Sequence, residues 1–256
     1  MVGIYFSGTG NTKHCIGEFI RKLDDSASII SIEEPESIDA IKENDFIVFA
    51  YPIYFSSLPK IIRDYIKTNK EIFQGKKIFI IATMGLFSGD GAGCSARLFK
   101  KCGAEIIGGL HLKMPDCIGD EKALKKSLEQ NKEIVKNAEN KICQAVEKLK
   151  NKQPTKEGIN IIYHAAGLFG QRLWFYNKTR NYSDKLKIDK SKCIGCGLCS
   201  SLCPMDNIEI IDKKAEPKEK CTMCYRCISN CPKQAITLIG KKVYEQCKSE
   251  RYLDTR

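Results

Sequence analysis

Val2-Gly3-Ile4-Tyr5-Phe6-Ser7-Gly8-Thr9-Gly10-Asn11-Thr12 begins as a strand-like run and passes into a loop of hydroxyls, glycines and one amide. Helical spacing follows over residues 12–23. Hydroxyls and glycine N–H groups at a helix N-terminus make an anion site, because the first-turn N–H groups lack acceptors and the helix dipole favours negative charge. A nucleotide P-loop would need Gly-Lys-Ser/Thr, but Lys13 follows Thr12 and precedes His14. A dinucleotide fingerprint would need a third glycine where Lys13 stands. A lysine-free, hydroxyl-rich cradle suits one phosphate monoester.

Outward from this loop the pattern repeats. Val2–Phe6, Ile29–Ile32, Asp45–Ala50, Lys77–Thr83 and Ala104–Leu112 read as strands, and 12–23, 60–68, 92–102 and 121–149 as helices. Five βα units predict a doubly wound, five-stranded parallel sheet covered on both faces. In such a sheet, ligands gather at the carboxyl ends of the strands. Strand three ends in Tyr51-Pro52-Ile53-Tyr54-Phe55-Ser56-Ser57-Leu58-Pro59, and strand four in Thr83-Met84-Gly85-Leu86-Phe87-Ser88-Gly89-Asp90-Gly91. Aromatic rings there can stack on a flat ligand, and glycines let the backbone approach it. Leu124, Leu128, Val135, Ala138, Ile142, Val146 and Leu149 form an apolar stripe at helical spacing. Its first half is expected to cover the sheet. Its second half braces either a second domain or a second copy of the chain, which keeps a homodimer among the alternatives.

The 256 residues include 14 cysteines. Strand-like sequence from the first residues, with no basic leader, predicts a cytoplasmic protein in which cysteines serve metal or redox chemistry rather than disulfides. No stretch approaches the roughly 20 apolar residues of a membrane span. Eight cysteines form two runs, Cys193-x2-Cys196-x2-Cys199-x3-Cys203-Pro204 and Cys221-x2-Cys224-x2-Cys227-x3-Cys231-Pro232. Every cysteine, the proline and the Ile208/Ile236 pair recur at an offset of 28 residues, which marks an internal duplication. Zinc sites take two C-x2-C pairs across a longer loop and give the Cys-Pro no role. The run is instead that of bacterial two-cluster ferredoxins, in which the fourth cysteine of each run serves the other cluster. That resemblance implies one [4Fe-4S] cluster on Cys193, Cys196, Cys199 and Cys231, and a second on Cys221, Cys224, Cys227 and Cys203. The remaining cysteines read as small buried apolar groups, with Cys94 and Cys117 nearest the strand-end loops. His14, His111 and His164 read as structural.

The formal charge of +11 is uneven, with 22 Lys+Arg against 20 Asp+Glu in residues 1–150 and 20 against 11 in residues 151–256. No nucleic-acid module accompanies it, so nucleic acid is not an expected partner. The basic excess offsets the negative charge of two clusters and offers a face to an acidic redox partner, a ferredoxin or an oxidoreductase.

The loop Ser7-Gly8-Thr9-Gly10-Asn11-Thr12, with the two strand-end loops, resembles the flavodoxin family. Both halves together resemble the flavodoxin–ferredoxin fusions of anaerobic bacteria and archaea, a likeness that includes Met114-Pro115-Asp116 after strand five. The resemblance implies FMN, held by Ser7, Gly8, Thr9, Gly10, Asn11 and Thr12 at the phosphate. Pro52, Tyr54, Phe55 and Ser56 would come from one ring-side loop, and Gly85, Phe87, Ser88, Gly89, Asp90 and Gly91 from the other. Expected domains are 1–150, the flavodoxin-like FMN domain; 151–185, a connector packing between domains; 186–240, the small α+β two-cluster ferredoxin domain; and 241–256, a tail. Flavin on one domain and clusters on another imply that a bulky residue at Gly8 or Gly10 removes flavin and spares iron. The expected function is electron transfer between FMN, two clusters and a redox partner. The alternative is a flavin-dependent reductase of a small molecule fed through the clusters. No catalytic acid or base constellation is present.

Overall fold

The structure is a computed structural model and describes residues 1–54, 57–86, 91–160 and 185–253. The first part alternates β1 (Val2–Tyr5), α1 (Asn11–Leu23), β2 (Ile29–Ser31), α2 (Glu36–Glu43), β3 (Phe46–Pro52), α3 (Lys60–Thr68), β4 (Lys77–Met84), α4 (Gly91–Lys101), β5 (Glu105–Lys113) and α5 (Leu128–Lys150). The five strands pair in parallel in the order β2-β1-β3-β4-β5. Strand order reverses beside β1, so the carboxyl ends of β1 and β3 diverge there and open a crevice.

The strand pleat divides the core between the two faces. Ile47, Phe49 and Tyr51 point to one side of β3, and Val48 and Ala50 to the other. On the first face Phe49, Phe73 and Phe99 meet edge to face, with centroids 4.9–6.5 Å apart. On the second, Phe19 of α1 stacks on Phe79 of β4 at 5.0 Å. All five rings are fully buried, and truncating any one to Ala costs about 3–5 kcal/mol.

Two helices depart from the sequence reading. α2 was not expected, since its 8 residues bury only Ser37 and Ile41. The long helix begins at Leu128 rather than 121, because Ser127 and Gln130 close a reciprocal capping box there. Residues 122–124 form a separate 3-10 turn, and Leu128 is exposed. Both halves of α5 pack into one cluster with α1 and β5, from Val135 through Val146.

The second part is small and built on the duplication. β6 (Lys187–Ile188) pairs antiparallel with β9 (Ile236–Thr237), and β7 (Ile208–Ile211) with β8 (Lys214–Pro217). The helices α6 (Leu198–Ser201) and α7 (Arg226–Asn230) carry the third cysteine of each run. Ile208 and Ile236 both enter its core, with Leu186, Tyr225, Ile228 and Leu238.

Residues 154–157 run beside β5, where Gly109 N–H donates to the Thr155 carbonyl at 2.8 Å. The aromatic stretch of the connector, Tyr163 to Tyr176, lies outside the described residues. The C-terminal segment returns to the first domain. Tyr244 and Glu245 donate backbone N–H bonds to the Gly119 carbonyl, Ser249 donates to the Thr9 carbonyl at 2.9 Å, and Tyr252 is buried in the α1–α5 cluster. Among the described residues no helix is long and apolar enough to cross a membrane.

Candidate functional site

The loop from Ser7 to Thr12 sits where β1 hands over to α1. Gly10 takes a left-handed φ of 98° at the helix N-cap, and its N–H donates to Ser7 Oγ at 3.1 Å. No side chain caps the helix and its first turn holds no acid, so the N-terminus stays open to an anion. Thr12 is buried and shares a 2.8 Å hydroxyl–hydroxyl bond with Thr83. Asn11 donates Nδ2 to the Pro115 carbonyl at 2.7 Å, while its Oδ1 is buried without a partner. Gly8 is forced by close approach: a Cβ there would overlap the Cys224 carbonyl and lie 2.7 Å from the Tyr54 hydroxyl.

A cleft of about 400 Å³ opens beside this loop. Ser7, Gly8, Thr9, Asn11 and Thr12 line one end, and Pro52, Tyr54 and Gly85 the strand-end side. Gly10 turns the loop without reaching the cleft lining, and Gly91 lies beneath β3, where its carbonyl accepts from the Tyr51 hydroxyl at 2.8 Å. Phe55, Ser56, Phe87, Ser88, Gly89 and Asp90 lie outside the described residues. The β5 exit adds Met114, Pro115, Asp116 and Cys117. Burial raises the Asp116 carboxyl above its ordinary range, against the Ile118 N–H and Lys125, which hold it down. An open helix N-terminus beside an apolar cleft of this size fits a phosphorylated flat ring such as FMN, with the unpaired Asn11 oxygen able to accept from a ligand hydroxyl.

The eight repeat cysteines divide between two small cavities. Cys193, Cys196, Cys199 and Cys231 line one small cavity, and Cys203, Cys221, Cys224 and Cys227 another. Burial first, then neighbouring sulfurs, brings the Cys221 thiol up to about 11 and Cys224 up to about 12, against backbone N–H groups that hold them down. Cations beside these two sulfurs would favour their thiolates. Backbone N–H groups already point at sulfur: Asn207 to Cys203 at 3.3 Å and Ala235 to Cys231 at 3.4 Å, again 28 residues apart. The first group sits at the surface, with Cys196 exposed; the second is inside, with Cys224 buried.

The inner group abuts the phosphate loop. Arg226, one residue before Cys227, donates to the Ser7 carbonyl at 2.9 Å and to the Leu202 carbonyl at 3.2 Å. It also forms a two-pronged ion pair with Glu33, both distances 2.7 Å. Asp120 ties the domains at the opposite end, its Oδ2 accepting from the backbones of Leu238, Ile239 and Gly240.

The flavodoxin domain family matches residues 3–102, and the 4Fe-4S dicluster domain family matches residues 185–232. The chain is a flavodoxin–ferredoxin fusion. As such it is an electron-transfer protein of the flavin and iron–sulfur class. The fusion is similar over its first part to the two-electron reduced flavodoxin of Megasphaera elsdenii, at 21% identity over 57% of this chain and 100% of that one, with a TM-score of 0.41. A flavodoxin of Fusobacterium nucleatum bound to flavin mononucleotide is 17% identical over 59% and 97%, with a TM-score of 0.42. A flavodoxin from the domain Archaea is 16% identical over 58% and 97%, with a TM-score of 0.41. No curated protein matches the fusion.

Sequence reasoning missed the far wall of the cleft, which the ferredoxin domain supplies through Met223, Tyr225 and Ile239. A signal was present: where the first run has Gly195 and Gly197, the second has Met223 and Tyr225. His111 is structural as expected, its Nε2 accepting from the Ala92 N–H at 3.1 Å. His14 pairs with Glu139 at 2.9 Å, and His164 lies outside the described residues.

Proposed function

We propose that the fusion carries electrons between a soluble redox partner and one FMN, through two [4Fe-4S] clusters in series. FMN would occupy the cleft, its phosphate on Ser7 to Thr12. The outer cluster would bind Cys193, Cys196, Cys199 and Cys231, and the inner cluster Cys221, Cys224, Cys227 and Cys203. FMN stores two electrons and each cluster passes one at a time, so the chain would serve as a converter between one- and two-electron chemistry.

One observation carries this reading: the loop of the inner cysteines packs directly on the phosphate loop, with the Cys224 carbonyl against Gly8 and Arg226 bonded to Ser7. The outer group reaches solvent at Cys196, while the inner group lies behind the cleft wall made by Met223 and Tyr225. Around the outer group Ile194, Leu198 and Ile210 are exposed. Lys213 and Lys233 are exposed beside them. An apolar centre with a basic rim suits an acidic one-electron carrier, which would dock there. The ferredoxin domain closes one wall of the cleft, which favours the carrier over a reductase that must admit a substrate. The domain limits 1–150, 186–240 and 241–256, a connector between them, and a cytoplasmic location belong to the same proposal.

The test is composition followed by kinetics. Anaerobically purified protein should hold about eight irons and eight sulfides, with FMN released on heating. Stoichiometric zinc, or FAD in place of FMN, would refute the assignment.

A further inference from the structure

The two copies of the cysteine repeat differ at two backbone positions that have the same shape. Gly195 and Gly197 take left-handed φ of 69° and 76°, and 28 residues later Met223 and Tyr225 take 61° and 60°. Glycine adopts this conformation freely, whereas a residue with a side chain is strained in it. The inner copy therefore keeps two side chains where its fold would be better served by none.

Their position gives the reason. Among the described residues, Met223 and Tyr225 are the two that line both the inner cysteine cavity and the cleft. Gly195 and Gly197 line only the outer cysteine cavity. Tyr225 is 2% exposed and lines the cleft wall, with its buried hydroxyl turned to Asp120. Each residue lies next to an inner cysteine in sequence, Tyr225 directly after Cys224. Thioether and phenol are polarisable groups suited to the face or edge of a flat aromatic ligand.

We propose that Met223 and Tyr225 are flavin-binding residues donated by the ferredoxin domain, their thioether and ring forming the shared wall that packs between FMN and the inner cluster. This rests on the reading of the cleft as the FMN site. It makes the ferredoxin domain part of the flavin site, so that flavin affinity and potential depend on two side chains of the cluster loop.

The experiment uses full-length holoprotein, stripped of flavin and titrated with FMN by fluorescence, followed by anaerobic potentiometry. M223G and Y225G restore the glycines that the outer copy uses at the same φ. They should retain both clusters, bind FMN about tenfold more weakly as the packed thioether or ring is lost, and shift the flavin potential while the cluster potentials stay. Y225F keeps the ring and removes only the hydroxyl that faces Asp120, so it should keep both FMN affinity and flavin potential. The proposal is overturned if wild type binds FMN one to one while M223G and Y225G keep the same affinity and flavin potential. Failure of the wild type itself to bind FMN, with iron intact, would overturn the reading of the cleft and this inference with it.

Discussion

The two cysteine runs are the same device in two settings. Both place three cysteines around left-handed turns and send the fourth across to the other group, and both direct the i+4 backbone N–H to that crossing sulfur. The outer run ends in solvent: Cys196, Ile194 and Leu198 are exposed, and a Cβ on Gly197 would meet nothing within 4 Å. The inner run ends against another domain. The residue equivalent to Leu198 is Arg226, which bonds Glu33 and Ser7 of the flavodoxin domain. Duplication thus supplies two similar cysteine sets, and contact with the flavodoxin domain leaves one at the surface and makes the other a neighbour of the cleft.

The cluster ligands test this contrast most severely. C196A and C224A should each reduce iron from about eight per chain toward four, measured by colorimetric assay. C224A should cut the flavin off from the remaining cluster, while C196A should cut the partner off and leave the inner cluster in contact with the flavin. Identical redox behaviour of the two variants would break the distinction.

Gly8 and Gly197 sharpen it from the glycine side. G8V drives its side chain into the Cys224 carbonyl, which is backbone and cannot give way. FMN content should collapse, and cluster iron should fall as well. This corrects the sequence expectation that flavin and iron are independent at Gly8: the two domains touch at that residue. At Gly10 a Cβ would overlap only Ser249 of the C-terminal segment, outside the ferredoxin domain, so flavin loss with iron retained stays the expectation there. G197A meets only backbone strain, about 1 kcal/mol, and should leave flavin unchanged.

A smaller effect distinguishes Arg226 from Leu198. R226A breaks the ion pair with the exposed Glu33 and removes two carbonyl bonds, so it should cost about 1–2 kcal/mol in chemical denaturation. L198A should stay within about 0.5 kcal/mol. Equal losses would mean that the interface does not lean on Arg226. The smallest effect is electrostatic. Neutralising Lys213 and Lys233 to Gln should slow reduction by an acidic donor a few-fold at low ionic strength. The difference should vanish toward 0.5 M salt, where the Debye length falls to about 4 Å.

How much of this was legible in the sequence follows from the range of the forces involved. β3 and β4 are near-continuous apolar runs, because helices cover both faces of the sheet, and their limits were read to within two residues. The phosphate loop and the cysteine runs are local, fixed by spacing within a dozen residues. α2 was illegible because eight residues with two buried positions leave no stripe to detect. The C-terminal segment read as a tail, since nothing in Cys247-Lys248-Ser249 announces that Ser249 will sit on Gly10 and donate to Thr9. The cleft's far wall was hidden because it is made by residues more than 200 positions from the phosphate loop, although the loss of glycine at 223 and 225 was visible in the repeat.

In the proposed path, electrons reach the flavin from the surface through the outer and then the inner cysteine group. Anaerobic stopped-flow spectroscopy of wild type, C196A and C224A, mixed with a reduced acidic ferredoxin as probe donor, follows that path. Flavin reduction should be fast in wild type, slowed by salt, and lost in both variants while FMN remains bound. Flavin reduction at the wild-type rate in C196A, or fast salt-independent reduction of wild type by NADH alone, would contradict it.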